Sequence, residues 1–396
     1  MKAAGLSAQR CYDAPSETEA VLIDAQVNRY TDYANPISGH AMGAFQTPDG
    51  RRILITSEPS APLAAKVNWD WLKGVIGDLL GTEQVYFFAW LKVARESLRK
   101  RDFRPGQCLC FIGKPDCGKS YLQWCITHIL GGRSEDPLLW LRGGTTFNAE
   151  LCEAEHWKID DPGSVSRGDV RRDFGDAIKR AVINRDVSIH GKNAKGITLS
   201  VWRRLTISCN WENTTALPII DESNGDKIML FNCGQAKLHS DIGRNQSQFF
   251  KELPGLLRFL DNFEIPKNLI SNRMGVVSHH NPEVLAELSS LAPELQLLEL
   301  IDEVIFDGEA SAVRYGSEKL KQELLKSNFR FAAEKLLYYS SACGVLLQRL
   351  AVKFPNRVSF NKSDGRTLWT LYPSTPLPVE KAKIKQSALD LNVPAR

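Results

Sequence analysis

The chain has 396 residues, 43% of them hydrophobic and 24% charged, with 50 Lys and Arg against 46 Asp and Glu. That length admits two or three domains and a sizeable core, and the mix is that of a globular protein rather than a fibrous or disordered one. A formal net charge of +4 is too small over this length to mark a nucleic-acid binder by itself, so any basic surface must be local.

Residues 1–66 alternate short apolar runs with turns and hold no convincing catalytic acidic cluster; in TPDGRRILIT, Pro48-Asp49-Gly50 reads as a turn into a strand. The start lacks a signal-peptide core, and no window approaches the ~20 apolar residues of a membrane span. A soluble protein of the cytoplasm of a bacterial host cell, with no membrane partner, is the expectation. Residues 67–103 read as two amphipathic helices broken at Gly81-Thr82, a helical collar or oligomerisation segment ending in the basic RESLRKRDFRPGQ.

Residues 104–275 alternate strand and helix patterns, the signature of a mostly parallel sheet covered by helices, and so of an α/β fold. Residues 276–310 are strongly helical and read as a linker. In residues 311–396, helices precede the short strands RVSFNK and RTLWTLY, joined at Ser363-Asp364-Gly365. That pattern fits a winged-helix-like module, with a plain packing cap as the alternative. The nine cysteines are unevenly spaced, several inside apolar runs (Cys108, Cys110, Cys125, Cys209), and no pair has the CxxC spacing of a zinc site. They read as reduced, buried thiols.

The chemistry begins at Gly113-Lys114-Pro115-Asp116-Cys117-Gly118-Lys119-Ser120, with Tyr121 next in the helix. The stretch fits GxxxxGKS/T in the context that motif requires, with the apolar strand LCFI before it and the helix SYLQWCITHIL after it. Leu122, Cys125, Ile126 and Ile129 fall on one helical stripe, which sets the core side. Glycines let the backbone wrap an anion, and the helix start offers free N–H groups. Lys119 is expected to reach the β- and γ-phosphates of ATP, and Ser120 to ligate Mg²⁺.

Hydrolysis also needs carboxylates on a neighbouring strand. About forty residues on, AEHWKIDDPG supplies Asp160 as the metal-side acid and Asp161 as the catalytic acid, unless Asp-Asp before Pro-Gly is only a turn. A further strand, WRRLTISCNWE, ends at Asn210, either a sensor of the γ-phosphate or a cap for the next turn.

The order of phosphate turn, acidic pair and Asn-ended strand resembles the compact AAA+ core of superfamily 3 helicases, closest to the helicase part of phage, plasmid and poxvirus-type primase-helicases. The residues that carry the likeness are GKPDCGKS, KIDD, IHGKNAKGITLSVWRRLTISCN and ALPIIDESNGDKIMLFNC, with FEIPKNLISNRMGVVSHHNPEVL after them. The resemblance covers about residues 67–285. It implies an AAA+ P-loop NTPase core that works as a homo-hexamer ring on single-stranded DNA, in replication of a phage or mobile genetic element.

It also implies a β-hairpin between acidic pair and sensor that enters the ring's pore, here with His190, Lys192 and Lys195 against the nucleic-acid backbone. An arginine finger for the neighbouring subunit's γ-phosphate is implied as well. Lys227 stands where the family commonly has Arg, and it lacks the bidentate fork, so Arg203, Arg204, Arg244 or Arg273 are the alternatives. Larger members carry a primase domain upstream, for which residues 1–66 are too few, so a stand-alone helicase, or a fragment, working with a separate primase or replication initiator is expected. Two other readings stay open. One is an AAA+ ATPase that assembles on DNA to recruit or load partners without unwinding, gripping DNA by Arg99 to Arg104; the other is a small-molecule P-loop kinase.

Overall fold

The apolar run Cys108–Gly113 forms a strand buried at every position, as a central strand covered on both faces must be. It belongs to a five-stranded sheet in the order Ile228–Cys233, Cys108–Gly113, Arg204–Asn210, His156–Asp160, Ser134–Glu135, with every pairing parallel. In this computed structural model the described residues are 14–373 apart from 29, 61, 164–167, 193–195, 222, 291, 307–310 and 364–365. They fall into two compact units, Met1–Leu288 and Ser289–Arg396.

The two-residue period of the central strand distributes its side chains between two cores. Leu109 and Phe111 join the core built with the predicted collar helices, Asp70–Leu80 and Gln84–Arg99, and with the helices Lys119–Ile129 and Ile242–Asn262. Cys108, Cys110 and Ile112 face the opposite core, with Trp157, Ile159 and the helix Gly168–Ile183. The collar is therefore part of the sheet's own covering. Its approach is close: a Cβ on Gly255 would stand 2.2 Å from the Val67 carbonyl oxygen, so only glycine fits there.

The predicted turn at Pro48-Asp49-Gly50 joins strands Gly43–Gln46 and Arg52–Ile55, which pair antiparallel; Tyr33–Ala34 completes a small sheet. That sheet shares a third core, containing Ile37, Ile53, Ile55, Val187, Ile189, Ile197 and Val201, with the hairpin Asp186–Ile189/Ile197–Ser200. The segment read as a linker divides. The helix Pro282–Ser290 buries Val284 and Leu288 in the core with Ile228 and Leu230, while Pro293–Ile305 buries Leu297 and Ile301 in the core of the second unit.

The second unit runs helix Pro293–Ile305, strand Val313–Gly316, helices Ser317–Lys326, Arg330–Leu336 and Ala342–Lys353, then the antiparallel strands Val358–Ser363 and Arg366–Leu371. The final hairpin was predicted, but Asp364 and Gly365 of its turn lie outside the described residues. Val313–Gly316 was not predicted; it pairs antiparallel with Arg366–Leu371 and completes a three-stranded winged-helix-like sheet. Eight cysteines are free and buried, and Cys11 lies outside the described residues. Among the described residues no helix is long and apolar enough to cross a membrane.

Candidate functional site

Register brings the predicted nucleotide residues together. Gly113 lies opposite Asn210, and Asp160 opposite Ser208, so the phosphate turn, the acidic pair and the Asn reach the same carboxyl edge of the sheet. Gly118 takes φ +111 at the start of the Lys119–Ile129 helix, and a Cβ there would stand 3.2 Å from that of Ala236. The loop is held from behind, where Ala236 N donates to the Cys117 carbonyl at 3.0 Å and Gln235 Nε2 to that of Asp116 at 3.2 Å.

Lys119 is buried, and its Nζ donates to the carbonyls of Gly113 (3.2 Å) and Lys114 (2.6 Å) and to Asn210 Oδ1 (3.0 Å). The ammonium thus sits inside the turn and touches the predicted sensor directly. Ser120 Oγ donates to Asp160 Oδ1 at 3.0 Å, which sets a hydroxyl and a carboxylate side by side. Asp161 takes φ +46, uncommon for a non-glycine residue, and accepts from Asn213 Nδ2 at 3.1 and 3.4 Å. Lys114, Pro115 and Asp116 are exposed along the turn, and Cys117 is buried. Tyr121 turns away: its hydroxyl donates to the Asn245 carbonyl at 3.0 Å on the Ile242–Asn262 helix.

Several supporting residues were missed. Ser208 donates to Asp160, and its position two before Asn210 puts it on the same strand face, a signal that the alternation carries. Asn213 had no local signal. Beneath the site, Gln123 Nε2 donates to the Ile159 carbonyl (3.0 Å), one residue before Asp160, and to Thr206 Oγ1 (2.9 Å). His156, fully buried, sits between Thr206 Oγ1 (2.8 Å) and Thr127 Oγ1 (2.7 Å). Burial first, and the nearby Lys158 charge second, lower its pKa to about 3. The polar interruption of the acidic strand is thus a satisfied, neutral imidazole. Burial, with Asp161 next, also pushes the Cys209 thiol up to about 12, which keeps it protonated beside the site.

The residues suggested for a trans finger differ in availability. Arg203 is buried and donates to the carbonyls of Ala181 (2.7 Å), Val201 (2.9 Å) and Asn184. Arg204 is buried and donates to the Arg104 and Arg203 carbonyls (3.1 and 2.8 Å) and to Ser97 Oγ (3.0 Å). Both are turned inward, with their guanidinium groups spent on backbone carbonyls and, for Arg204, on the Ser97 hydroxyl. Lys227 folds back onto the Ser223 carbonyl (2.7 Å) and pairs with Asp226. Arg244 is exposed, and Arg273 is exposed beside Asp226 at 3.4 Å.

The predicted hairpin forms, with Ile189 opposite Ile197 at its outer end. His190 and Lys192 are exposed at the tip, the His190 ring lying across Gly196, where an added Cβ would come within 3.0 Å of it. Lys195 lies outside the described residues.

No family model and no curated protein matches the chain. Among solved structures it is similar to the apo NrS-1 C-terminal region, with TM-score 0.53 at 13% identity over 91% of this chain and 92% of that one. A second apo structure of that region, spanning residues 305–718, gives TM-score 0.53 at 13% identity over 91% of each chain. At this identity the likeness shows a shared fold, one that runs nearly the length of both chains. JCV helicase aligns at TM-score 0.31 and 12% identity over 55% of this chain and 62% of that one, too weak a likeness to carry an argument.

Proposed function

We propose that this chain is an ATP-driven DNA helicase of the superfamily 3 type, an ATP hydrolase that assembles as a homo-hexamer ring and moves along single-stranded DNA in replication of a phage or mobile element. The observation that carries the reading is Lys119 Nζ at 3.0 Å from Asn210 Oδ1, beside Ser120 Oγ at 3.0 Å from Asp160 Oδ1. A candidate phosphate-gripping cation, metal-binding pair and polar sensor meet at one sheet edge, and the chain between acidic pair and sensor forms an antiparallel hairpin.

The donor set suits Mg²⁺ and ATP. Among the described residues no group of three or more His, Cys, Asp or Glu could cage a metal alone. A single carboxylate and a hydroxyl suit Mg²⁺, which keeps waters and takes its remaining ligands from substrate phosphates. Held by Ser120 and Asp160, Mg²⁺ would neutralise phosphate charge. Lys119 would hold those phosphates, Asp161 would orient water and take its proton, and Asn210, released from Lys119, would report the γ-phosphate. The hairpin with Lys192 and Lys195 would hold the DNA backbone irrespective of sequence. With Arg203, Arg204 and Lys227 engaged internally, the finger falls to Arg244 or Arg273.

One experiment decides the class: ATP turnover with and without single-stranded DNA, alongside mass determination with a non-hydrolysable ATP analogue. Stimulation together with a ring supports the translocase. A monomer indifferent to DNA sinks it and favours a small-molecule kinase. DNA binding lost on replacing the exposed Arg99, Arg101 and Arg104 but indifferent to Lys192 favours the loader.

A further inference from the structure

The hairpin tip is gripped at both of its strand ends by residues remote in sequence. On the first strand, Asn148 acts as a false neighbouring strand. Its Oδ1 accepts from His190 N (2.7 Å), its Nδ2 donates to the Ser188 carbonyl (2.9 Å), and its own N donates to the His190 carbonyl (3.1 Å). Asn148 is almost fully buried, so these partners are desolvated and the contacts are costly to leave unmade. On the returning strand, Arg51 Nη1 donates to the Gly196 carbonyl.

Arg51 is itself aimed by the turn that precedes it. Gly50 takes φ +87, Thr47 N and the Arg51 carbonyl bond at 2.9 Å, and Arg51 N returns to Thr47 Oγ1 at 3.0 Å. The Asp49 carboxylate stands 3.2 Å from Arg51 Nε, orienting the guanidinium toward the hairpin. Below the tip, Ile53 and Ile55 share a core with Val187, Ile189 and Ile197. Further down, His40 Nε2 lies 2.7 Å from the Ser200 carbonyl. The TPDGRRILIT stretch therefore has a task that its sequence did not disclose.

We propose that the Thr47–Arg51 turn and Asn148 form a clamp on the hairpin, one jaw on each strand end, making Arg51 and Asn148 positioning residues for the nucleic-acid contact at Lys192. The proposal rests on the reading that this hairpin holds nucleic acid. A tip of several residues carrying lysines transmits displacement to a bound backbone only if its two ends are fixed; otherwise the loop yields first. The clamp supplies that stiffness from the N-terminal sheet, which then moves with the hairpin as one piece.

The test uses the full chain and two readouts. The first is trypsin cleavage after Lys192, which follows how often the tip opens. The second is stimulation of ATP turnover by oligo-dT. Arg51→Ala and Asn148→Ala, each removing a grip of about one charged or buried hydrogen bond, should raise cleavage about tenfold and lower stimulation by a similar factor. Basal turnover should stay at the wild-type value in both, and Arg51→Ala should keep the wild-type melting temperature, whereas Asn148→Ala, which leaves buried partners unmade, should melt lower. Arg51→Lys, which keeps a donor within reach of the Gly196 carbonyl, should recover most of both.

Unchanged cleavage in both alanine variants, or equal failure of Arg51→Lys and Arg51→Ala, overturns the clamp. If Lys192→Ala leaves stimulation intact, the nucleic-acid reading of the hairpin fails. Faster cleavage in Arg51→Ala would even then uphold the clamp as what holds the tip. A variant that does not fold is replaced by the other jaw's, since the two grip different strands.

Discussion

The sheet edge and the hairpin tip are built on opposite plans. At the edge, Lys119, Ser120, Asp160, Asp161 and Asn210 bond to one another and to nearby supports, so each side chain has a fixed partner. At the tip, His190 and Lys192 are exposed, and remote residues hold the two strand ends. The difference fits the two tasks proposed for them. Phosphate chemistry rewards donors placed in advance, because reorganisation during the reaction raises the barrier. A grip on a polymer of any sequence needs charge on an adaptable surface, with rigidity supplied behind it.

The largest effects are expected at the edge. Lys119→Ala removes the cation that the turn is folded around and should lower ATP turnover by at least ~100-fold, measured by phosphate release. Asp161→Asn keeps the shape but cannot take a proton, and should cost turnover by a similar order while leaving nucleotide binding within about threefold. Asp160→Ala should instead raise the Mg²⁺ concentration needed for half-maximal turnover, which separates the two carboxylates by readout. Equal effects of Asp160→Ala and Asp161→Asn on Mg²⁺ dependence would refute the division of roles.

At the tip the expected effects are smaller and of another kind. Lys192→Ala with Lys195→Ala should spare basal turnover and lose its stimulation by single strands. The slope of log affinity against log salt should fall by roughly 0.7 per phosphate contact removed. A fall in basal turnover as well would make those lysines structural. For the finger, Arg244→Ala and Arg273→Ala should be compared in mixtures with Lys119→Ala subunits, where a trans role shows as inactivation that depends on the mixing ratio.

Much of the edge was legible because it is written in backbone terms. A glycine-bearing turn between an apolar strand and a helix has few conformations, and strand ends at Asp160 and Asn210 follow from where apolar runs stop. What was not legible depends on contacts distant in the chain. Arg203 and Arg204 reach the carbonyls of Ala181, Asn184 and Arg104 across 22, 19 and 100 positions, so their inward turn could not be foreseen. Arg51 and Asn148 meet the hairpin across 145 and 42 positions. Val313–Gly316 is only four residues long and owes its strand character to its partner Arg366–Leu371. Val284 and Leu288 read as part of a helical linker because helical period alone does not say which core a helix joins.

The smallest predicted effect concerns the polar circuit under the site. Gln123 Nε2 donates to Thr206, and Thr127 Oγ1 donates to the Gln123 carbonyl at 3.2 Å. The circuit closes only if Thr206 donates to His156 Nε2 and His156 Nδ1–H donates to Thr127, which assigns the neutral imidazole. A second proton would break the Thr206 bond and place a charge in a dry core near Lys158, in keeping with a pKa lowered to about 3. The unfolded chain takes that proton near the ordinary value of 6.5. Between those values acid favours the unfolded chain. The contribution is therefore fully present above 6.5 and is lost as pH falls toward the folded value, the loss reaching about 2 kcal/mol by about pH 5. His156→Gln should be less stable than wild type at neutral pH, by roughly 1–3 kcal/mol for the disrupted circuit, yet lose less on acidification. Melting curves taken between about pH 7.5 and 5 check this: parallel pH slopes for the two proteins would mean that His156 takes its proton in the folded chain, and that the circuit as drawn is wrong.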